Sequence, residues 1–163
     1  MPGIGPDRME KIITAWETQK QVNAIMIFLH SHKITTNLAV KIFKTHGNEA
    51  LEVLRQNPYR LEQDIYGVGF KTADRIARDL GLPSDHPSRI EAGLAYVLEQ
   101  SQSDGHVFLP EALLLEKATD LLGVDSGLLY GGLERLIAEE RIQREPVVLR
   151  DADSGPDSVD AIY

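Results

Sequence analysis

Cysteine is absent from this chain of 163 residues, which excludes disulfides, thiolate zinc sites and thiol catalysis. Long apolar runs are absent as well, and nothing approaches the roughly 20 residues that a bilayer span requires. The opening residues, Met1-Pro2-Gly3-Ile4-Gly5-Pro6, lack the basic region and apolar stretch of a secretory leader, so a cytoplasmic location is expected. The five histidines form no metal-ligand set; His30 and His32, two residues apart, point to different faces of a helix. A nucleotide phosphate loop is missing too. Gly69-Phe70-Lys71-Thr72 comes nearest, but that loop needs lysine directly after glycine, so neither ATP binding nor any other cofactor is expected.

Basic residues are scarce in one part of the chain only. The net charge is -8, yet residues 1–81 carry 11 Lys/Arg against 9 Asp/Glu, while residues 82–163 carry 6 against 16. The halves, at +2 and -10, are therefore expected to do different jobs. The charge change falls at Gly81-Leu82-Pro83-Ser84-Asp85-His86-Pro87, where two prolines cannot continue a helix. A domain boundary is placed there, separating residues 1–81 from residues 82–163.

What is abundant is apolar residues at helical spacing: Met9, Ile12, Ile13 and Trp16; Phe70, Ala73, Ile76, Ala77 and Leu80; Ile90, Leu94, Val97 and Leu98. This predicts a mainly all-α fold of short helices, about 10 to 15 residues each, ended by Gly47, Gly81 and Gly123 and broken at Pro58, Pro83 and Pro110. Trp16, on the stripe with Met9, Ile12 and Ile13, is expected in the core. The second half reads as a helix over 88–102, a strand at His106-Val107-Phe108-Leu109, helices over 111–122 and 126–140, then an extended stretch over 141–149. Pairing of Val147-Val148-Leu149 with residues 159–163 would make a small β-hairpin, and the whole order resembles a winged helix. The acidic stretch over 151–158 reads equally as the loop of that hairpin or as a disordered linker.

The first half contains repeats. A shift of 64 places Gly3-Ile4-Gly5 on Gly67-Val68-Gly69, Met9 on Ala73, Lys11 on Arg75 and Ile12 on Ile76; a shift of 30 finds a middle copy, with Ile34, Ala39, Lys41 and Ile42 in the same columns. Each outer copy is Gly, apolar, Gly, then a helix start. Two glycines allow a tight turn and leave nothing to obstruct a ligand, and the helix start offers N–H groups at the positive end of its dipole. Such a site suits a phosphate. Ile4 and Val68 are expected to point inward and pin the turns.

These residues resemble the helix-hairpin-helix family, whose hairpins hold the nucleic-acid backbone without reading bases. Gly67-Val68-Gly69-Phe70-Lys71-Thr72-Ala73 matches closely, with Lys71 at the position of the family's phosphate-binding lysine. Gly3-Ile4-Gly5-Pro6-Asp7-Arg8 matches in its glycines but has Asp7 in place of lysine. The middle copy, His32-Lys33-Ile34-Thr35-Thr36-Asn37, has neither glycine and is expected to be structural only. Over residues 1 to about 150, the chain also resembles the N-terminal region of RecD-like, superfamily 1 DNA helicases. Asn57-Pro58-Tyr59-Arg60-Leu61, residues 66–77 and Gly105-His106-Val107-Phe108-Leu109-Pro110 carry that likeness.

The resemblance implies an accessory segment rather than an enzyme, with motor domains elsewhere in a longer protein and another hairpin unit ahead of Met1. It implies DNA, single-stranded or forked and without sequence preference, as partner, together with the parent's motor domains and no membrane. The DNA-binding residues it marks are Gly67, Val68, Gly69, Phe70, Lys71, Thr72 and Arg75, with Gly3, Gly5, Arg8 and Lys11 from the first copy. Lys11, Lys41 and Arg75 share one repeat column, which reads either as the lining of a backbone groove or as a solvated stripe. For Phe70 and Tyr66, which flank the hairpin, core packing is favoured over stacking on an unpaired base.

Two alternatives remain. Some DNA glycosylases carry the same hairpin ahead of a catalytic aspartate, for which Asp85 is the available candidate. Its loop setting, its short spacing from the hairpin and the lack of cysteines for an iron-sulfur cluster count against that chemistry. The second half, with Glu134, Glu139 and Glu140 on its last helix, reads instead as a protein-docking module.

Overall fold

The structure, a computed structural model, describes residues 3, 5–149 and 157–163. The chain divides into two compact units, Met1–Gly81 and Leu82–Tyr163. In the first, Pro6 opens a 26-residue helix, α1 (Pro6–Ser31), with Asp7 in its first turn. Thr35 caps α2 (Thr36–His46) by accepting the Leu38 N–H on its hydroxyl at 3.4 Å, and Gly47, at φ 56°, ends it. A short 3-10 turn leads into α3 (Ala50–Gln56), then α4 (Arg60–Asp64) and α5 (Phe70–Asp79). α1 packs on α2, α2 on α3 and α4 on α5 around Leu29, Ile34, Ile42, Leu54, Leu61 and Ile76.

The longest helix departs from the expected lengths because residues 7–31 contain neither proline nor glycine to stop it. It also corrects the expected core. Trp16 is 75% exposed, and Met9, Ile12 and Ile13 lie open beside it; every residue from 5 to 21 is exposed, and α1 meets the core through buried Ile25 and Leu29 with half-buried Met26 and Phe28 beside them. Their repeat counterparts Ala73, Ile76 and Ala77 are buried. An amphipathic stripe shows that a face can be covered; whether this unit's own helices reach it depends on where they pack. Tyr66, also expected in the core, is 99% exposed. Ile4 lies outside the described residues, so its expected inward position is not shown.

The second unit runs α6 (Pro87–Ser103), β1 (Leu109–Pro110), α7 (Glu111–Leu122), α8 (Ser126–Ala138), β2 (Arg144–Leu149) and β3 (Asp157–Ile162). The fold is thus mainly α, with a small antiparallel sheet in the order β1-β3-β2. The hairpin register runs from Arg144 opposite Ile162 to Leu149 opposite Asp157. The stretch over 150–156 lies outside the described residues. The first strand is shorter than expected: only Leu109 and Pro110 pair with β3, and Val107 is exposed. α8 ends at Ala138, two residues early, with Glu140 at φ 56°.

Close contacts hold this unit together. A Cβ on Gly132 would stand 2.5 Å from Ile90 Cγ2, so the glycine lets α8 approach α6. The buried Arg89 guanidinium donates to the carbonyls of Ser84 at 2.9 Å and Leu122 at 3.0 Å, tying the end of α7 to the start of α6. Gly123, in the left-handed conformation, returns its N–H to Thr119 at 2.8 Å and closes α7.

Candidate nucleic-acid interface

The middle and last repeat copies share one backbone plan. In the last copy, Gly67 has φ 89°, Val68 is buried and Gly69 is extended ahead of α5. Both Thr72 and Ala73 direct their N–H groups to the Gly69 carbonyl at 3.1 Å. The first copy repeats this at Gly5, whose carbonyl accepts from Arg8 at 3.0 Å and Met9 at 3.1 Å. In the middle copy Lys33 takes the left-handed position at φ 59°, Ile34 is buried and Thr35 is the extended cap. The glycines are therefore not what makes the turn, since a lysine adopts the conformation that is easiest for glycine.

The copies differ in what faces outward. Thr35 places its own hydroxyl on a first-turn amide of α2, whereas Gly5 and Gly69 supply no side-chain cap. A Cβ at Gly69 would meet nothing within 4 Å, so this helix start is open. An uncapped, unobstructed start at the positive end of a helix suits an anion.

Lys71 and Arg75 are exposed one turn apart on α5, and Thr72 is half-buried between them. Arg78, the next cation along the helix, donates to Asp74 at 2.7 Å. Val68 and Phe70 turn inward; their side chains hold the hairpin and take no part in its outer surface. The Phe70 ring stacks against Tyr59 with centroids 6.0 Å apart, and the Tyr59 hydroxyl bonds to Asp74.

Gly3, Gly5, Arg8 and Lys11 are also exposed, but they sit at the end of α1 farthest from the core. Ile25, the first buried position of α1, lies 20 positions beyond Gly5, roughly 30 Å along the helix. Lys11, Lys41 and Arg75 are all exposed.

Sequence reasoning missed a tertiary pairing: His46, at the end of α2, lies 3.3 Å from Asp64 at the end of α4. Eighteen residues separate them in the chain, so no local spacing could announce the contact. Among the described residues no cluster of three potential metal ligands occurs. Asp85 lies exposed in a turn of the second unit.

In the second unit three arginines are engaged by carboxylates. Arg135 donates to Glu91 at 2.7 Å, Arg141 lies near Glu91 and Glu139, and Arg144 donates to both Glu111 and Glu134 at 2.7 Å. The Glu134 hydrogen bond is foremost in raising the Arg144 pKa further above its ordinary value.

The family description of the ATP-dependent RecD2 DNA helicase HHH domain matches residues 18–108, more than half of the chain. The chain belongs to this family. The RecD2 HHH match includes the middle and last hairpins and α6, and it leaves out Gly3, Gly5, Arg8 and Lys11. Across its whole length the chain is 26% identical to the ATP-dependent RecD2 DNA helicase of Deinococcus radiodurans, of which it covers 23%. The RecD2 match is thus to a HHH region, not to motor domains. No helix among the described residues is long and apolar enough to cross a membrane.

Proposed function

We propose that this chain is a non-catalytic, DNA-backbone-binding segment of a RecD2-type helicase, acting in the cytoplasm in recombination or repair. One observation carries the reading: the uncapped start of α5 behind Gly67-Val68-Gly69, with Lys71 and Arg75 exposed on the same helix. A phosphate bound there accepts hydrogen bonds from first-turn amides and meets the Lys71 ammonium, contacts that carry no sequence information. Gly3, Gly5, Arg8 and Lys11 would form a second, weaker contact, because Asp7 stands where the better hairpin has Lys71. Neither hairpin supplies the phosphate loop or catalytic carboxylate that turnover needs, so the purified chain neither hydrolyses ATP nor releases bases from DNA.

The test is a salt titration of DNA binding. Lys71→Ala should weaken binding to all sequences and lower the log-log salt slope by roughly 1, as loss of one phosphate contact does. Unchanged affinity and slope in a folded variant would remove the hairpin as the contact.

For the second unit the favoured role is docking. Its element order resembles that of a winged helix, but its candidate recognition helix, α8, offers Arg135, already bonded to Glu91, in a half of net charge -10. Such a surface repels phosphate. We assign it instead to contact with the motor domains of the parent helicase.

A further inference from the structure

Tyr66 is 99% exposed at the tip of the 67–69 hairpin, immediately before the left-handed Gly67. The middle hairpin treats the equivalent residue differently. A shift of 34 places Lys33 on Gly67 and His32 on Tyr66. The His32 ring folds back on Phe28, with centroids 4.4 Å apart, and its Nδ1 lies 2.8 Å from the Phe28 carbonyl oxygen. In the last hairpin the position of Phe28 is taken by Glu62, which provides no ring to lie against, and Tyr66 stands in solvent. Two hairpins of the same backbone plan thus present one aromatic tucked away and one displayed. The displayed ring belongs to the hairpin whose helix start is open and whose helix bears exposed Lys71 and Arg75.

We propose that Tyr66 stacks on an unpaired base, so that this hairpin takes single-stranded DNA or the unpaired arm of a fork in preference to duplex. The inference rests on the reading of the 67–69 hairpin as a backbone contact and adds a base contact to it. The physical reason is division of labour. Amides and Lys71 hold a phosphate, which single strands and duplexes both offer, while an aromatic face next to that phosphate gains from a base only when the base is out of its stack. Every base has such a face, so the contact favours strandedness without reading sequence. The adjacent cations favour nucleic acid over a protein partner at this tip.

The test uses the whole chain, with labelled oligothymidine, an abasic strand of equal length and a blunt duplex at one salt concentration. Tyr66→Ala should weaken oligothymidine binding about tenfold, as loss of one stacked aromatic does, with no change in salt slope and no effect on the abasic strand or the duplex. Tyr66→Phe should restore the affinity, since the ring and not the hydroxyl does the stacking. With the side chain in solvent, neither variant disturbs the core. If Lys71→Ala weakens binding while Tyr66→Ala leaves oligothymidine unaffected, the stacking inference is overturned and the backbone reading stands. Equal losses on oligothymidine, abasic strand and duplex would also overturn it, making Tyr66 a backbone contact. If neither Lys71→Ala nor Tyr66→Ala alters binding, the hairpin is not the DNA contact and both readings fall.

Discussion

The Tyr59 hydroxyl donates to Oδ1 of Asp74 at 2.7 Å, joining the residue that precedes α4 to the middle of α5. Both residues are buried, and the hairpin tip lies between them in the chain. The bond, with the Tyr59–Phe70 stack beside it, fixes the angle at which α5 leaves the turn. It therefore positions the open helix start without touching a ligand.

Tyr59→Phe keeps the ring and removes the donor, leaving a buried carboxylate with one hydrogen bond fewer. A hydrogen bond to a charged group contributes about 1.5–3 kcal/mol, so chemical denaturation should show a loss of that size. A variant as stable as the parent would show that Asp74 is adequately satisfied by its remaining contacts.

The two hairpin glycines should separate folding from binding. Gly67, at φ 89°, is in the region that costs an L-residue about 1–2 kcal/mol, so Gly67→Ala should lower stability by about that much. Gly69 is extended with open space around its Cβ position. Gly69→Thr, copying Thr35, should leave the melting temperature unchanged or higher while weakening DNA affinity, because the new hydroxyl occupies an amide that the phosphate would use. Thermal melts and anisotropy titrations on the two variants check this, and undiminished binding by folded Gly69→Thr would contradict it.

Trp16→Glu tests the exposed half of α1. A core tryptophan would cost about 3–5 kcal/mol when truncated, whereas an exposed one changes stability by within about 0.5 kcal/mol. The small change is expected from the 75% exposure of the indole, and calorimetry of the whole chain measures it.

Separating the units should separate the activities. Residues 1–81 alone should retain the DNA binding of the whole chain, and residues 82–163 should show none even at low salt, where attraction to phosphate is strongest. Duplex binding by the second piece and none by the first would reverse the assignment and make α8 a DNA-reading helix.

Local rules made much of this molecule legible. The helix starts at Pro6 and Phe70, the stops at Gly47 and Gly123, the helix–strand order of the second half and the antiparallel pairing of its last two strands all follow from capping, turn chemistry and periodicity. So does the candidate site, since a Gly-apolar-Gly turn and its following helix are one short segment whose geometry depends on near neighbours.

Tertiary structure decided what local spacing leaves undefined. Periodicity put Trp16 and Ile76 on equivalent stripes, yet one is exposed and the other buried, because burial requires a second surface and α1 extends beyond the helices that pack on it. Tyr66 and His32 occupy the same place in their hairpins, but the His32 ring is held against Phe28 by ring contact and by its Nδ1 near the Phe28 carbonyl oxygen, while Tyr66 is exposed. Folding sets Arg135, Arg141 and Arg144 against Glu91, Glu111, Glu134 and Glu139, pairings that no local spacing defines. The repeats and caps were set by the chain itself, through steric and hydrogen-bonding preferences that act within a few residues. Exposure and ion pairing were set by the fold, because both depend on which distant side chains arrive at the same place.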